Sequence, residues 1–287
     1  MKVLITGANG QLGQALTRAA PRSAELIVKA HADFDISDAG QVRELVNAER
    51  PELIINAAAY TAVDRAEADE QTARAVNAEG PAYLASAAGE CGARLIHIST
   101  DFVFDGASSE PYATDATVAP LNVYGRTKST GEAAVIGALT DYAIVRTSWL
   151  YAAWGANFVQ TMLRLMRERG TVRVVSDQIG SPTSVNSMAK ALWSLSSSKL
   201  AGIFHWADAG VASWYDFAAA IAEEGAVRKL LPKDVQVISI ATEEYPTPAR
   251  RPRFSVLDTR STVAAIGLTP AHWRTELRRV LDEIACA

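Results

Sequence analysis

Cysteine is nearly missing from this chain: Cys91 and Cys286 are the only two among 287 residues. Two thiols cannot build the disulfide framework of a secreted mini-domain, and they fit a reducing compartment, so a cytoplasmic location is expected. Histidine is also scarce. The four are scattered singly, without the spacing of a metal cluster. No run approaches the roughly 20 apolar residues of a membrane span. The opening MKVLITGANG has neither the long apolar stretch nor the small-residue cleavage site of a secretory signal. Basic excess is lacking too: the formal net charge is −4, which excludes the broad cationic footprint of a nucleic-acid binder. The one cationic cluster, Arg250, Arg251 and Arg253, is read either as a solvated loop or as a seat for a small anion.

What is present is an ordinary globular composition, 49% hydrophobic and 21% charged, able to build a core without metal or disulfide support. The first half alternates apolar runs with helical patterns. Strands are expected at Lys2–Thr6, Glu25–Ala30, Glu52–Ala58, Ala93–Thr100 and Asp141–Ser148. Helices are expected at Gln11–Ala20, from Asp38 to about Ala48, over Thr72–Gly89 and over Tyr124–Leu139. The strand runs lack polar alternation, so both faces are buried, as in a parallel sheet covered by helices on each side. Further on, Ala156–Arg169 reads as an amphipathic helix, TVRVVSD as a strand, and SWYDFAAAIAEEG as a helix capped by Ser213. The Pro- and Arg-rich EEYPTPARRPRFS reads as a loop. The expected fold is α/β: a doubly wound parallel sheet of the Rossmann type with a smaller α/β substrate-binding lobe. Residues 1–150, with part of 171–205, form the dinucleotide-binding domain, and 151–287 mainly the lobe.

TGANGQLG follows the first strand and opens the first helix. Gly7, Gly10 and Gly13 permit a tight turn and a close backbone approach to a pyrophosphate, and the helix N-terminus, at Gln11 and Leu12, supplies free N–H groups. No Gly-Lys-Ser/Thr ending follows, so this is not a Walker A loop. The second strand ends Lys29-Ala30-His31, without the carboxylate that commonly binds a ribose 2′-hydroxyl and rejects a 2′-phosphate. NADPH is therefore expected, with NADH possible.

LNVYGRTK places Tyr124 four residues before Lys128, on one helical face. Thr100 and Asp101 end the fourth strand, at the edge where such sheets bind ligands. A hydride added to a ketone leaves an alkoxide that needs a proton, and free tyrosine, with a pKa near 10, is a poor source at neutral pH. A neighbouring lysine cation and the nicotinamide charge are expected to lower it.

The order glycine loop, Thr100, Tyr124, Lys128 resembles the extended short-chain dehydrogenase/reductase superfamily. NAAAYTAVDRAE, STDFVFDG, PLNVYGRTKSTGE, RTSWLY, DQIGSPT and YPTPARRPRFSVLD resemble the dTDP-4-dehydrorhamnose reductase family in particular. The resemblance implies NADPH- or NADH-dependent reduction of the 4-keto group of dTDP-4-dehydro-6-deoxy-L-mannose to dTDP-L-rhamnose. It implies Tyr124 as proton donor, Lys128 on the nicotinamide ribose and Thr100 on the substrate carbonyl. Asp35 and Ile36 match adenine-side contacts, and Ala59, Tyr60 and Thr61 match the cofactor-lining end of the third strand. Asp101, Trp149 and Arg251 match substrate contacts, Arg251 toward the diphosphate. Related dehydratases read Thr-Asp-Glu where this chain reads Thr100-Asp101-Phe102, which favours reduction over elimination. Some members dimerise around magnesium held by glutamates, one of them two residues after the third glycine. That position is Ala15 here, so magnesium is not carried over, and monomer and homodimer both stay open. The rival readings are another nucleotide-sugar 4-ketoreductase or epimerase, and a non-catalytic regulatory subunit of the methionine adenosyltransferase type.

Overall fold

The computed structural model describes residues 1–286. Its first half runs Lys2–Thr6 (β1), Gln11–Arg18 (α1), Glu25–Lys29 (β2), Ala39–Glu49 (α2), Leu53–Asn56 (β3), Val63–Ala66 (α3), Glu70–Arg74 (α4), Gly80–Cys91 (α5), Arg94–Thr100 (β4), Val123–Ala138 (α6) and Tyr142–Thr147 (β5). The second half runs Leu150–Tyr151 (β6), Phe158–Arg169 (α7), Thr171–Val175 (β7), Ile179–Gly180 (β8), Thr183–Ser184 (β9), Val185–Ser196 (α8), Gly202–His205 (β10), Ala212–Ser213 (β11), Trp214–Val227 (α9), Gln236–Ile240 (β12), Arg260–Ile266 (α10) and Trp273–Ala285 (α11).

One six-stranded sheet has the order β10-β5-β4-β3-β1-β2, and every pairing in it is parallel. Period-two alternation divides its apolar residues between two cores. Val3, Ile5, Ile55, Ile96 and Val145 face α1 and α8; Leu4, Ile54, Leu95 and Ile144 face α2, α5 and α6. The chain runs from β1 out to β2 and then crosses back to β3, so strand order reverses between β1 and β3. A ligand crevice opens at such a point, beyond the strands' carboxyl ends. Residues 185–205 rejoin this sheet through α8 and β10. A separate core gathers α7, β7, α9 and α11. There TVRVV pairs in parallel with QVISI (β12), a strand the sequence reading left unassigned.

One helix differs from expectation. The single helix over Thr72–Gly89 is α4, a π-helical turn at Ala75–Glu79, and α5. Pro81, lacking an amide hydrogen, sits in the first turn of α5. The widened turn holds Asn77 against the loop after β3: its Oδ1 accepts from Tyr60 N at 2.9 Å and its Nδ2 donates to Tyr60 O at 3.0 Å. Gly131 of α6 fits there because a Cβ would lie 2.1 Å from Asn77 O. π-turns of this kind recur at functional sites.

Candidate active site

The glycine loop is built for close approach. Gly7 has φ +68°, and a Cβ on it would lie 2.6 Å from Ala58 N after β3. A Cβ on Gly13 would lie 2.3 Å from Gly7 O. Gly10, the N-cap of α1, offers no side-chain cap, and the first turn carries no acid, so the end keeps its partial positive charge. The arrangement suits a dinucleotide pyrophosphate.

Close packing also sets the start of α6. Asn122 Oδ1 accepts from Gly125 N at 2.8 Å, and Glu67 Oε1 accepts from Val123 N at 2.8 Å. A Cβ on Gly125 would lie 2.2 Å from Phe102 O. This contact brings Tyr124 to the end of β4, beside Thr100 in the same cleft, where its ring meets Phe102 edge-on at 5.8 Å. Thr100 Oγ1 donates to Asp101 Oδ1 at 2.9 Å and accepts from Phe102 N at 3.1 Å. Lys128, one turn on, is 2% exposed; its Nζ donates to Ile98 O at 2.6 Å and lies 3.4 Å from His97 Nε2.

The electrostatics correct one expectation. Burial pushes the Tyr124 phenol up to about 12, with the Asp101 charge adding to it and the Thr100 hydrogen bond opposing. Lys128 is not among the groups that shift the phenol; its Nζ donates to the Ile98 carbonyl. Burial pulls Lys128 down to about 8, against the Glu132 carboxylate, which favours the cation. Burial raises Asp101 to about 6. Its Oδ2 is buried without a hydrogen-bond partner.

These residues line a cleft of about 520 Å³ that also takes in Gly10, Gln11, Leu12, Ala59, Thr61, Trp149, Asn157, Trp214 and Arg251. Gly7, Gly13 and Tyr60 are not in this lining; Tyr60 is tied to Asn77. Asp35 and Ile36 are not in this lining: Asp35 Oδ1 accepts from Ser37 N and Oγ, and Ile36 is buried against Gly80. Trp149, at φ +47°, stacks on Trp214 at 3.5 Å with its ring near Gly180, where no Cβ fits. A non-glycine residue in this region costs about 1–3 kcal/mol and persists where packing fixes it. Arg251 forms a bidentate pair with Asp64, at 2.9 and 2.8 Å, between this cleft and a second cavity of about 530 Å³ that Arg250 and Arg253 also line. Ala15 is buried in the core against α8. Among the described residues no group of three or more His, Cys, Asp or Glu could hold a metal ion, and no helix is long and apolar enough to cross a membrane. Asn157 and Trp214 were not legible in advance. They come from separate helices, and no local motif signals that they converge.

Sheet, glycine loop and a tyrosine–lysine pair at one edge define the class: a Rossmann-type nucleotide-dependent oxidoreductase. The model of the RmlD substrate binding domain matches residues 1–286. The chain belongs to the dTDP-4-dehydrorhamnose reductase family. It is 40% identical over 287 residues to the spore coat polysaccharide biosynthesis protein SpsK of Bacillus subtilis, covering 100% of this chain and 99% of that protein. The crystal structure of a dTDP-4-dehydrorhamnose reductase from Clostridium acetobutylicum superposes with TM-score 0.94 at 39% identity, covering 99% of both chains. That of Bacillus anthracis, in complex with NADP, gives 0.93 at 38%, covering 98% of this chain and 99% of that one.

Proposed function

We propose that the chain reduces the 4-keto group of dTDP-4-dehydro-6-deoxy-L-mannose to give dTDP-L-rhamnose, with NADPH preferred and NADH possible. The observation that carries this is the convergence of Thr100, Tyr124 and Lys128 beside the glycine loop at the sheet's switch point. The reduced nicotinamide supplies the hydride. Gly7, Gly10, Gly13, Gln11 and Leu12 hold the pyrophosphate end of the cofactor, and Lys128 holds the ribose. Thr100 Oγ1, turning its one proton from Asp101 to the substrate, and the Tyr124 hydroxyl donate to the carbonyl oxygen, and Tyr124 delivers the proton to it as negative charge develops. Raised to about 12, the phenol is protonated at neutral pH but a weaker acid than free tyrosine, so it gives up its proton only as negative charge develops on the substrate oxygen beside it. Asp101 Oδ2, buried and unpartnered, suits a sugar hydroxyl.

Absence of a carboxylate where β2 ends supports NADPH: Lys29 O accepts from Ala8 N at 3.0 Å, which sets this strand end beside the glycine loop. Asp35 spends its Oδ1 on Ser37. Trp149 forms a wall for the sugar. Arg251 is read as a diphosphate contact that exchanges Asp64 for the substrate, where a planar guanidinium suits phosphate oxygens. The cytoplasm is the expected site of action.

Coupled synthesis of the keto sugar to NADPH oxidation tests the reading. Folded protein should oxidise NADPH only when the keto sugar is supplied, and faster than NADH. No oxidation above background defeats the assignment, and a strong preference for NADH defeats the cofactor reading alone.

A further inference from the structure

Beneath the cleft a line of polar side chains crosses three strands inside the apolar core. Thr6 (β1), Asn56 (β3) and His97 (β4) are each 0% exposed, and Lys128 ends the line at 2%. Thr6 Oγ1 donates to Asn56 Oδ1 at 2.7 Å, and Ala58 N donates to the same oxygen at 3.2 Å. A backbone N–H can only donate, so this contact fixes which end of the Asn56 amide is oxygen. The Asn56 Nδ2 then faces His97 Nδ1 at 3.0 Å and must be the donor, so Nδ1 must accept. Burial and the neighbouring Lys128 charge hold the imidazole neutral, well below its ordinary range. A neutral ring that accepts at Nδ1 carries its proton at Nε2, the nitrogen 3.4 Å from Lys128 Nζ.

We propose that His97 is a positioning residue for Lys128: Asn56 locks its ring as the Nε2–H tautomer, and that N–H, aimed at Nζ, favours the amine over the ammonium. The amine accepts from Nε2–H, donates one N–H to Ile98 O, and keeps one N–H for a ligand. The ammonium has no lone pair and meets the same N–H as a repulsive dipole.

Other groups facing the lysine do not cancel this. Glu132, one turn further along α6, favours the cation, but its carboxylate is already engaged. Arg146 of β5 donates to it from Nε at 2.9 Å and from Nη2 at 2.7 Å, and Ser99 Oγ of β4 also donates. Tyr124, one turn back, is protonated, and Asp101 lies beyond it. From β3 only the neutral Asn56 belongs to the line. With a midpoint of about 8 the cation still prevails at neutral pH, and dinucleotide binding or negative charge arising at Tyr124 holds its proton more firmly. The consequence for turnover rests on the reductase reading above; the tautomer and the lysine's midpoint do not.

Magnetic resonance of ligand-free, full-length protein with isotope-labelled histidine and lysine tests this, with Lys128→Arg to assign the lysine signal. The wild-type His97 ring should be protonated at Nε2 and bare at Nδ1. His97→Gln, whose amide can turn its oxygen toward the ammonium, and His97→Asn, which removes the facing N–H, should each raise the Lys128 midpoint by about one pH unit. The alkaline limb of the reductase pH profile should move with it. A wild-type ring protonated at Nδ1 overturns the proposal, as does an unchanged lysine midpoint in a folded His97 variant. If both variants fail to fold, the wild-type tautomer alone decides. A protein with the expected tautomer but no turnover would instead sink the functional reading.

Discussion

Lys128→Met should make the protein more stable and inactive. The wild-type lysine titrates near 8 when folded and at 10.5 when free, because burial disfavours its cation. Between these values the unfolded chain binds more protons, so stability rises with pH across this window. The penalty is fully present below about 8 and fades toward 10.5. At pH 7 it is about 3 kcal/mol, and at pH 10 it has fallen below about 1 kcal/mol. Methionine is of similar length and carries no charge, so it escapes the penalty. It also forfeits the Nζ–Ile98 O hydrogen bond of 2.6 Å, worth about 1 kcal/mol net. The variant should therefore exceed wild type by about 2 kcal/mol at pH 7 and roughly equal it at pH 10. Urea unfolding of both proteins in matched buffers from pH 7 to 10 measures the difference. Contributions common to both, including general alkaline loosening, cancel in it. A difference that stays flat with pH, or a variant that gains stability relative to wild type as pH rises, would refute the reasoning. A buried cation that costs stability and whose loss ends turnover is held for chemistry, in line with the usual conflict between stability and function.

Tyr124→Phe should lower turnover by about 10²–10⁴-fold while leaving NADPH affinity nearly unchanged, measured by single-turnover oxidation beside fluorescence titration. Turnover within a few-fold of wild type would remove Tyr124 as proton donor. Gly13→Ala puts a Cβ 2.3 Å from Gly7 O, so it should prise the loop from α1 and cost about 1–3 kcal/mol of stability together with most cofactor affinity. Unaltered NADPH binding would show that the loop is not the pyrophosphate seat. Glu132→Ala strands Arg146, which is 2% exposed and bound by two oxygens of that carboxylate. A loss of about 3–5 kcal/mol is expected in urea unfolding, and a loss under about 1 kcal/mol would mean that water reaches the guanidinium.

The limits of reading the site from sequence follow from how each part is encoded. The glycine loop, Thr100 and the Tyr124–Lys128 spacing are local. Each is one short segment whose residues must be neighbours along the chain to do their work, so the order strand, loop, helix already implies their placement. The same was true of the sheet: unbroken apolar runs such as Leu53, Ile54 and Ile55 signal a strand buried on both faces. What escaped was carried by pairs distant in sequence. Asn56 and His97 are 41 residues apart and His97 and Lys128 are 31 apart, so the polar line exists only once β3, β4 and α6 are side by side. In the sequence alone, His97 looks like a packed core residue, and packed it is, at 0% exposure. Burial and function are not alternatives at this position. A core imidazole must find partners for both ring nitrogens, and the two it finds are an amide that can point only one way and the lysine beneath the cleft. The Tyr124 acidity was hidden for a related reason: it is set by burial and by the Asp101 charge, which only the folded chain brings to it. Helical spacing sets which face Lys128 occupies, whereas the Ile98 carbonyl and the His97 ring set the direction of its charge. A motif thus names the groups that react; the residues behind it, contributed by other strands, fix the protonation state in which they meet the substrate.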